Sequence, residues 1–338
     1  MPSVSIVLPC YNAAETLQET LNSIQNQTFS DYELIAINDG STDATLSLLE
    51  SWGKDEKRLR VINQPHVGIV QTANVGIELT RSEFMARIDA DDLMHPERLA
   101  QQVSFLNQNP EVGVISSLVE VFSEDGVREG YRIYVDWLNA LTTNEDIRRE
   151  IFVESPLPNP SVMIRTDLLR KLGGYEDHGW PEDYDLWLRM YLAGVVFEKI
   201  PKILLQWRDH PHRITRVDSR YSVKNFLRAK AFYLSLGPLQ GRDAVIIWGA
   251  GMMGRRLGKH LQRQKVPLAI YVDIDPKKIG RVRRGCPIIS WKDLQSCWDK
   301  YENPVILAAV GARNARWLIR KRLNESGFVE GKDWWAVA

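Results

Sequence analysis

The apolar positions before about residue 115 alternate between two spacings. Short apolar runs, typical of buried strands, are separated by segments in which apolar residues recur every three or four positions, as on one face of a helix. The strand-like runs are VSIVLP, YELIAIND, RLRVIN and EFMARID, and the helix-like segments are NAAETLQETLNSIQNQ, STDATLSLLESW and IVQTANVGIEL. Strands that alternate with short helices form parallel βαβ units with helices on both faces. The predicted fold class is therefore α/β with a mainly parallel sheet.

Three polar clusters follow the first, second and fourth of these predicted strands. They are PCYN, NDGSTD and DADD. In open α/β sheets, ligands bind beyond the carboxyl ends of the strands. Because loops from separate parallel strands meet at that edge, we expect the three clusters to form one site.

The pattern is less regular in the middle of the chain. PLPNPSVMIR predicts an irregular loop that leads into a short strand, and RTDLLRKLGGY predicts a helix that ends at two glycines. PEDYDLWLRMYLAG predicts a further helix, because its acidic start is followed by Leu186, Trp187, Met190 and Tyr191 at helical spacing.

A helix with a basic stripe is predicted from Arg216 to about Leu236. Arg216, Arg220, Lys224 and Arg228 are four positions apart, so they would share one face. Two interpretations fit this stripe. It is either a solvated face that docks on an acidic domain, or a surface that contacts an anionic membrane.

A second α/β pattern begins at Asp243. Gly249, Gly251 and Gly254 follow a strand and open a helix, and Asp273 ends the next strand, which is the spacing of dinucleotide-binding folds. Alone, this motif favours an oxidoreductase, but the segment is small and contains no evident Tyr/Lys or His/Asp catalytic set. We interpret it as a Rossmann-like accessory domain, either structural or ligand-binding. The predicted organisation is a main domain at 1–215, a helical linker at 216–241 and the accessory domain at 242–338.

Charge is divided unevenly between these parts, although the net charge is zero. Residues 1–241 contain 24 Lys and Arg against 34 Asp and Glu, whereas residues 242–338 contain 19 against 9. Cys10, Cys286 and Cys297 are too widely separated for a disulfide framework or a zinc site. Neither a signal peptide nor a run of about 18 apolar residues is evident, so we expect a cytoplasmic protein.

The segment RIDADD places Asp89, Asp91 and Asp92 within four positions. In an extended strand, Asp89 and Asp91 share a face and Asp92 turns away. Such oxygen ligands suit Mg²⁺ or Mn²⁺, which are held by one or two carboxylates and by substrate phosphates. The residues alone fit an acidic helix N-terminus equally well. Arg87 either reaches the phosphates or offsets the adjacent acids.

Five motifs together resemble the family 2 glycosyltransferases, an inverting group with the nucleotide-diphospho-sugar transferase (GT-A) fold. In chain order they are VSIVLPCYNAAETLQETLNSI, NDGSTDAT, RIDADDLMHPERL, GGYEDHGWPEDYDLWLRM and WRDHPHRIT. The resemblance covers about residues 1–225. It implies a metal-dependent enzyme, using Mn²⁺ or Mg²⁺, that moves a sugar from a nucleotide-diphosphate donor to a hydroxyl acceptor.

The resemblance also implies which residues bind the donor nucleotide. They are Pro9, Tyr11, Asn12, Glu15, Asp39 and Asp89. The first three match the loop after the first strand, where the base sits, and Glu15 matches an acid in the following helix. A carboxylate such as Asp39 accepts a hydrogen bond from a uracil or thymine N–H. The family usually has two acids before this glycine, and here the first is Asn38.

The resemblance assigns Asp91 to the metal and Asp183 to the general base. Inversion by a single displacement needs a carboxylate on the acceptor side, while the metal stabilises the departing diphosphate on the other side. The alternative for Glu182 and Asp183 is a pair of first-turn acids favoured by the helix dipole. Asp185 is a competing base, although its apolar neighbours indicate a buried structural acid.

The motif WRDHPHRIT contains further candidates. Some relatives of this fold carry a histidine metal ligand in this region, so His210 is a candidate ligand and His212 a second one. Arg208 is expected to pair with the diphosphate or with an acid of the site.

The expected partners are a UDP- or dTDP-sugar and a glycan or lipid-linked acceptor, with no nucleic acid. The setting implied is assembly of bacterial surface polysaccharide or lipid-linked glycan, with peripheral contact at the inner face of the membrane. Two alternatives remain. A nucleotidyltransferase with the same type of sheet would release pyrophosphate, and a binding module would sense a nucleotide through GAGMMG without transfer activity.

Overall fold

The computed structural model describes residues 2–124, 126–312 and 314–338. The chain divides into two compact units. The first contains the residues up to Ile147 together with Pro156–His178 and Glu182–Val217, and the second contains Arg148–Ser155, Gly179–Pro181 and Asp218–Ala338. Most of the predicted linker therefore belongs to the second unit, and the predicted domain limits at 215 and 241 stay a prediction.

Strands and helices alternate through the first half of the chain. The strands are β1 (Val4–Cys10), β2 (Tyr32–Asp39), β3 (Leu59–Gln64), β4 (Phe84–Arg87), β5 (Leu93–Met94), β6 (Val112–Phe122), β7 (Met163–Arg165) and β8 (Val196–Arg208). The helices are α1 (Leu17–Gln25), α2 (Thr45–Trp52), α3 (Ile69–Leu79), α4 (Arg98–Gln108), α5 (Glu129–Asn139), α6 (Asn144–Glu150), α7 (Thr166–Lys171), α8 (Glu182–Leu192) and α9 (Ile214–Val217).

Among the described residues, the first unit has one sheet of eight strands in the order β3-β2-β1-β4-β7-β6-β8-β5. β1 runs parallel to both β2 and β4, and β2 runs parallel to β3. β7 is antiparallel to β4 and β6, and β5 is antiparallel to β8. The predicted α/β class with a mainly parallel sheet is confirmed.

Helices cover both faces of the central strand β1, all of whose residues are buried. Ile6 and Leu8 share a buried cluster with the three apolar residues of α1 at helical spacing, Leu17, Leu21 and Ile24. On the opposite face, a Cβ at Gly76 of α3 would lie 2.3 Å from Val7 Cγ1. Because both faces are packed, β1 cannot slip in register, and the loop after it is held in a fixed place.

The second unit contains a smaller sheet with a Rossmann-like arrangement. Its strands are β9 (Ala244–Trp248), β10 (Leu268–Asp273), β11 (Val282–Arg283), β12 (Cys286–Ser290), β13 (Pro304–Ala308) and β14 (Trp334–Ala336), and its helices are α10 (Val223–Leu236), α11 (Met252–Arg263), α12 (Leu294–Trp298) and α13 (Ala315–Glu325). In the described residues the order is β11-β12-β10-β9-β13-β14, and β11 is antiparallel to β12. The strand order reverses beside β9.

The predicted continuous helix from Arg216 is wrong in its first part. α9 ends at Val217, a 3₁₀ turn follows, and α10 begins only at Val223. Asp218 accepts from the Arg220 N–H at 2.8 Å, which favours a turn, and Ser222 has an extended backbone. Since Arg216 lies outside α10 and Arg220 pairs with Asp218, the predicted four-residue basic stripe does not form.

Candidate active site

Three polar loops meet at the carboxyl end of the larger sheet. The Asn12 N–H donates to Ser41 Oγ at 3.0 Å, and Asn12 Oδ1 accepts from the Thr42 N–H at 2.8 Å. Thr16 Oγ1 donates to the Ala90 carbonyl at 2.9 Å. Asn12 has a φ of 48°, in the left-handed region that asparagine tolerates better than most residues. The loops after β1, β2 and β4 therefore form one continuous edge.

The carboxylate of Asp39 organises this edge and is almost completely buried. Its Oδ1 accepts from the Val67 N–H (2.9 Å) and Gln64 Nε2 (3.0 Å), its Oδ2 accepts from the Gly68 N–H (2.9 Å), and His66 Nδ1 is 2.9 Å from Oδ2. Burial acts to raise the pKa of Asp39, but the hydrogen bonds outweigh it and lower that pKa. A base N–H would have to share or replace one of these donors, so the predicted base contact stays a prediction.

Tyr11 and His66 form an exposed aromatic pair beside Asp39. Their ring centroids are 4.2 Å apart with 26° between the planes, and Tyr11 is 49% exposed. An open ring face is suited to stacking on a nucleotide base. Sequence analysis identified Tyr11 but missed His66, although QPH follows the third predicted strand at this same edge.

Two residues assigned to the donor lie elsewhere than predicted. Pro9 is buried inside β1, not in the loop after it, because β1 pairs with β2 for one residue beyond Pro9. Glu15 is exposed and precedes α1 instead of lying within it. The reason is that the preceding segment is tied to the next loop, where the Ala14 N–H donates to Asp43 Oδ2 at 3.0 Å.

Asp89, Asp91 and Asp92 come together just after β4. One carboxylate oxygen from each lies within 4.8 Å of the others. The Asp92 N–H donates to the Asp89 carbonyl at 3.2 Å, so the chain turns here and the prediction that Asp92 turns away is wrong. The Asp92 carboxylate is buried, and its Oδ1 accepts from the Arg208 N–H at 2.8 Å. Within the described part of the chain, its Oδ2 has no hydrogen-bond partner.

Arginine side chains lie next to this acidic cluster, and those of Arg87 and Arg98 are buried whereas that of Arg213 is half-buried. Arg87 lies 2.8 Å from Asp89 Oδ1, so it offsets the adjacent acid, which was one of its two predicted roles. Arg98 donates to the Arg87 carbonyl at 2.8 Å. Arg213 lies over the Trp207 ring, 4.6 Å from its centroid. These cations explain how the crowded carboxylates are tolerated, although the side chains of Asp89 and Asp91 remain partly exposed.

The arginines compensate the acidic cluster only in part. Burial raises the pKa of both Asp89 and Asp92, and the charge of Asp91 adds to both increases. Arg87 opposes the increase at Asp89, and Arg213 opposes it at Asp92. An additional cation would favour the ionised carboxylates. The set of hard oxygen atoms, including the buried Asp92 Oδ2, therefore fits Mg²⁺ or Mn²⁺.

Residues at the end of β8 and just after it reach the acidic cluster. His210 Nε2 is 2.9 Å from Asp91 Oδ2, so the structure brings this predicted ligand to the cluster. His212 lies further along, with its ring centroid 6.4 Å from that of His210. Arg208 Nε donates to the Asp91 carbonyl at 2.8 Å, and its guanidinium pairs with Glu19. The roles of the two histidines as metal ligands stay predictions.

Asp183 lies in the first turn of α8 and is half-buried. Burial, together with the negative charges of Glu182 and Asp89, raises the pKa of Asp183 to about 8, although its Oδ1 accepts from the Tyr184 N–H at 2.7 Å. Because Asp89 contributes to this shift, the two acidic positions are electrostatically linked. The assignment of Asp183 as the base stays a prediction.

Tyr175 is a buried residue of the site that sequence analysis missed. Its hydroxyl donates to Asn159 Oδ1 at 2.8 Å, and the Asn74 side chain bonds both its N–H (2.9 Å) and its carbonyl (2.8 Å). Burial raises the pKa of Tyr175, Arg87 opposes this, and the acids add to it: Glu182, Asp183 and Asp89. Tyr175 is therefore close to both acidic positions, and its only sequence signal was its place after two glycines.

We expect Asp185→Ala to destabilise the first unit. Asp185, predicted as a buried structural acid, is completely buried, and its Oδ2 accepts from Arg189 Nε at 2.7 Å. Removing one partner of a buried ion pair costs about 3–5 kcal/mol. Urea unfolding followed by tryptophan fluorescence should show this decrease in the free energy of unfolding. The exposed Asp167→Ala is the matched control, and equal stability of the two variants would contradict a structural role.

The glycine turn of the second unit is stabilised by Asp273, the last residue of β10. A Cβ at Gly254 would lie 1.8 Å from the Gly249 carbonyl oxygen, so α11 approaches β9 as closely as glycine allows. Asp273 Oδ2 accepts from the Ala250 N–H at 2.9 Å and is 3.1 Å from Lys278 Nζ. Gly251 immediately precedes α11. Asp273 is thus engaged in the turn itself, and the ligand-binding role of this turn stays a prediction.

Residues 5–173 match the family model described as Glycosyl transferase family 2. An uncharacterized glycosyltransferase of Haemophilus influenzae is 32% identical over 222 residues, which cover 64% of this chain and 68% of that protein. The amylovoran biosynthesis glycosyltransferase AmsE of Erwinia amylovora is 28% identical over 207 residues, which cover 60% of this chain and 75% of AmsE.

Solved structures share the fold. S. aureus TarS (residues 1–349), in complex with UDP-GlcNAc, aligns with a TM-score of 0.57 at 20% identity, covering 78% of this chain and 72% of that one. The mannosyltransferase PcManGT from Pyrobaculum calidifontis, in complex with GDP-Man and Mn²⁺, aligns with a TM-score of 0.54 at 19% identity, covering 71% and 65%. The fold and the homologues define a glycosyltransferase of GT-A type. The chain belongs to glycosyltransferase family 2, as its motifs predicted.

Proposed function

We propose that the protein transfers a sugar, with inversion and with a divalent cation, from a UDP- or dTDP-sugar to a hydroxyl acceptor. The observation that carries the proposal is the acidic cluster, in which three carboxylates converge and a buried oxygen of Asp92 lacks a partner. TarS with UDP-GlcNAc and PcManGT with Mn²⁺ support a nucleotide-sugar donor and a metal.

The acidic cluster would hold the cation and the donor diphosphate. Asp89, Asp91 and Asp92 would provide oxygen ligands, with His210 as an additional ligand beside Asp91. When bound, Mn²⁺ or Mg²⁺ supplies positive charge that stabilises the departing diphosphate. Arg87 holds the Asp89 carboxylate in place, and Arg208 fixes the turn that carries Asp91 and Asp92.

Asp183 would accept the proton from the acceptor hydroxyl as the new C–O bond forms. A general base is most effective when its pKa lies near the working pH, and burial raises the pKa of Asp183 to about 8. The exposed Tyr11 and His66 pair would stack on the base at the other end of the donor. The nucleotide base, the diphosphate and the acceptor hydroxyl would thus be bound by three different parts of one edge.

The biological setting we propose is assembly of surface polysaccharide or lipid-linked glycan in the cytoplasm, at the inner face of the membrane. AmsE, which takes part in amylovoran biosynthesis, supports this setting. The acceptor would be a glycan or a lipid-linked glycan.

The test is an assay of UDP- and dTDP-sugars with Mn²⁺ that follows nucleotide release and donor-induced thermal shift. We expect at least one donor to raise the melting temperature and to release a nucleoside diphosphate when an acceptor glycan is added. EDTA should abolish release. Release of pyrophosphate in a parallel incubation with UTP or dTTP and a sugar 1-phosphate would instead indicate a nucleotidyltransferase, and donor binding without any release across an acceptor panel would indicate a binding module.

A further inference from the structure

The second unit has a long segment that is almost free of acidic residues. From Ser219 to Val272 there is one acid, Asp243, against ten Lys and Arg. The segment includes α10, the glycine turn and α11. A solvated surface on a globular protein usually mixes both signs of charge, so this bias indicates a polyanionic partner.

The cations of α11 lie on one face. Arg255, Arg256, Lys259 and Arg263 are exposed and follow the spacing of three and four that aligns residues along a helix. The opposite face is buried through its two leucines and two glycines, Leu257, Leu261, Gly254 and Gly258. Met252, which is 56% exposed, lies on the same face as these cations at the N-terminus of the helix.

Neighbouring elements place further cations beside those of α11. α10 packs on α11 and contributes Lys224 and Arg228. Because α10 packs on α11, cations of both helices surround the buried His260, and burial together with the charges of Arg263, Lys259, Arg228 and Lys224 lowers its pKa to about 4. The hairpin between β11 and β12 adds Arg284, whose Nε donates to the Arg255 carbonyl at 3.1 Å.

We call these seven cations the basic face. They are Lys224, Arg228, Arg255, Arg256, Lys259, Arg263 and Arg284. In the part of the chain that the structure describes, none of them has a carboxylate within ion-pair distance. Six of the seven are exposed and available to a partner, whereas Arg228 is half-buried over the Trp180 ring.

We infer that the basic face docks the protein on an anionic lipid bilayer. A cluster of near-surface cations is attracted to anionic lipid headgroups, and the exposed Met252 adds a small apolar contact at the start of α11. The stripe on α11 contains no aromatic side chain, so it lacks the stacking platform that single-stranded nucleic acid requires. Among the described residues no helix is long and apolar enough to cross a bilayer, and the inferred contact is peripheral. It does not depend on the proposed sugar transfer.

Co-sedimentation with vesicles tests this inference on the full chain. We expect binding to phosphatidylcholine vesicles that contain phosphatidylglycerol, little binding to pure phosphatidylcholine, and weaker binding as salt screens the charges. A variant with Arg255→Gln, Arg256→Gln, Lys259→Gln and Arg263→Gln should partition roughly 10²- to 10³-fold less well, because four near-surface cations are lost.

The matched control removes four exposed lysines of the same unit outside the basic face, Lys277→Gln, Lys292→Gln, Lys300→Gln and Lys332→Gln. This control has the same net charge as the test variant and should keep most of the binding. Equal losses in both variants would show a net-charge effect and overturn the inference. Absence of wild-type binding to phosphatidylglycerol vesicles, or equal binding to pure phosphatidylcholine, would also overturn it. Donor-induced thermal shift is measured in parallel, so that a failed docking site is distinguished from a failed donor assignment.

Discussion

Asp183→Asn is expected to reduce kcat by about 10²- to 10⁴-fold while donor affinity stays close to that of the wild type. Asparagine has nearly the same shape as aspartate but cannot take the acceptor proton. Its side-chain oxygen can still accept from the Tyr184 N–H, so the first turn of α8 should remain in place. The measurement is nucleoside diphosphate release under donor saturation, with donor affinity from calorimetry.

Asp167→Asn serves as the matched control, since Asp167 is an exposed first-turn acid of α7. It should leave kcat unchanged. Unchanged turnover in Asp183→Asn would exclude Asp183 as the base and would return Glu182 and Asp183 to the role of helix-dipole acids. A loss of donor affinity equal to the loss of turnover would place Asp183 in donor binding instead.

The pH profile gives a second readout for Asp183. Burial and then the charge of Glu182 raise its pKa to about 8, so the carboxyl group of the free enzyme is protonated at acidic pH and cannot act as a base. We therefore expect kcat/KM to fall about tenfold per pH unit below this pKa and to level off above it. Asp183→Asn should lose this dependence, and a profile that is flat in the wild type would contradict the assignment.

Local sequence patterns predicted the strands β1 to β4 and the edge that carries the site, but they did not predict β5, β6 or β8. The strands β1, β2 and β4 were evident because buried parallel strands are continuous apolar runs. Their polar ends converge for a topological reason, and no side-chain detail was needed to predict this. Asp183 and Asp89 were identified by family motifs, whereas spacing alone fitted a simple acidic helix start.

Contacts between residues that are distant in the chain could not be predicted from local sequence patterns. Tyr175 is held by Asn74, which is 101 positions away, and no local spacing encodes that pair. Asp92 joins the cluster because the chain turns after β4, where an extended strand was assumed. The basic stripe failed for the same reason, since a regular spacing of four predicts one face only if the helix is continuous. Asp218 favours a turn in the middle of that spacing.

The electrostatics of the acidic cluster lead to a second large effect. Removing Asp91 should lower the pKa of the remaining carboxylates and relieve their repulsion in the absence of metal, because its charge raises the pKa of both Asp89 and Asp92. It should harm donor binding in the presence of metal, because one carboxylate ligand is lost. These opposite expectations separate a metal-binding role from a purely structural one.

Asp91→Ala is therefore expected to abolish the part of donor affinity that depends on Mn²⁺, and to lower kcat/KM by roughly 10³-fold, since metal stabilisation is worth several kcal/mol. Donor binding is measured by calorimetry with Mn²⁺ and with EDTA. In EDTA the melting temperature should not fall, because relief of repulsion compensates for the lost contact with His210. Glu97→Gln, which changes an exposed acid close by in the sequence, should behave as the wild type.

If Asp91→Ala kept the full difference in donor affinity between Mn²⁺ and EDTA, the metal would have to be held without Asp91. The convergence of the three carboxylates would then have a structural explanation, in which the buried arginines alone balance Asp89 and Asp92.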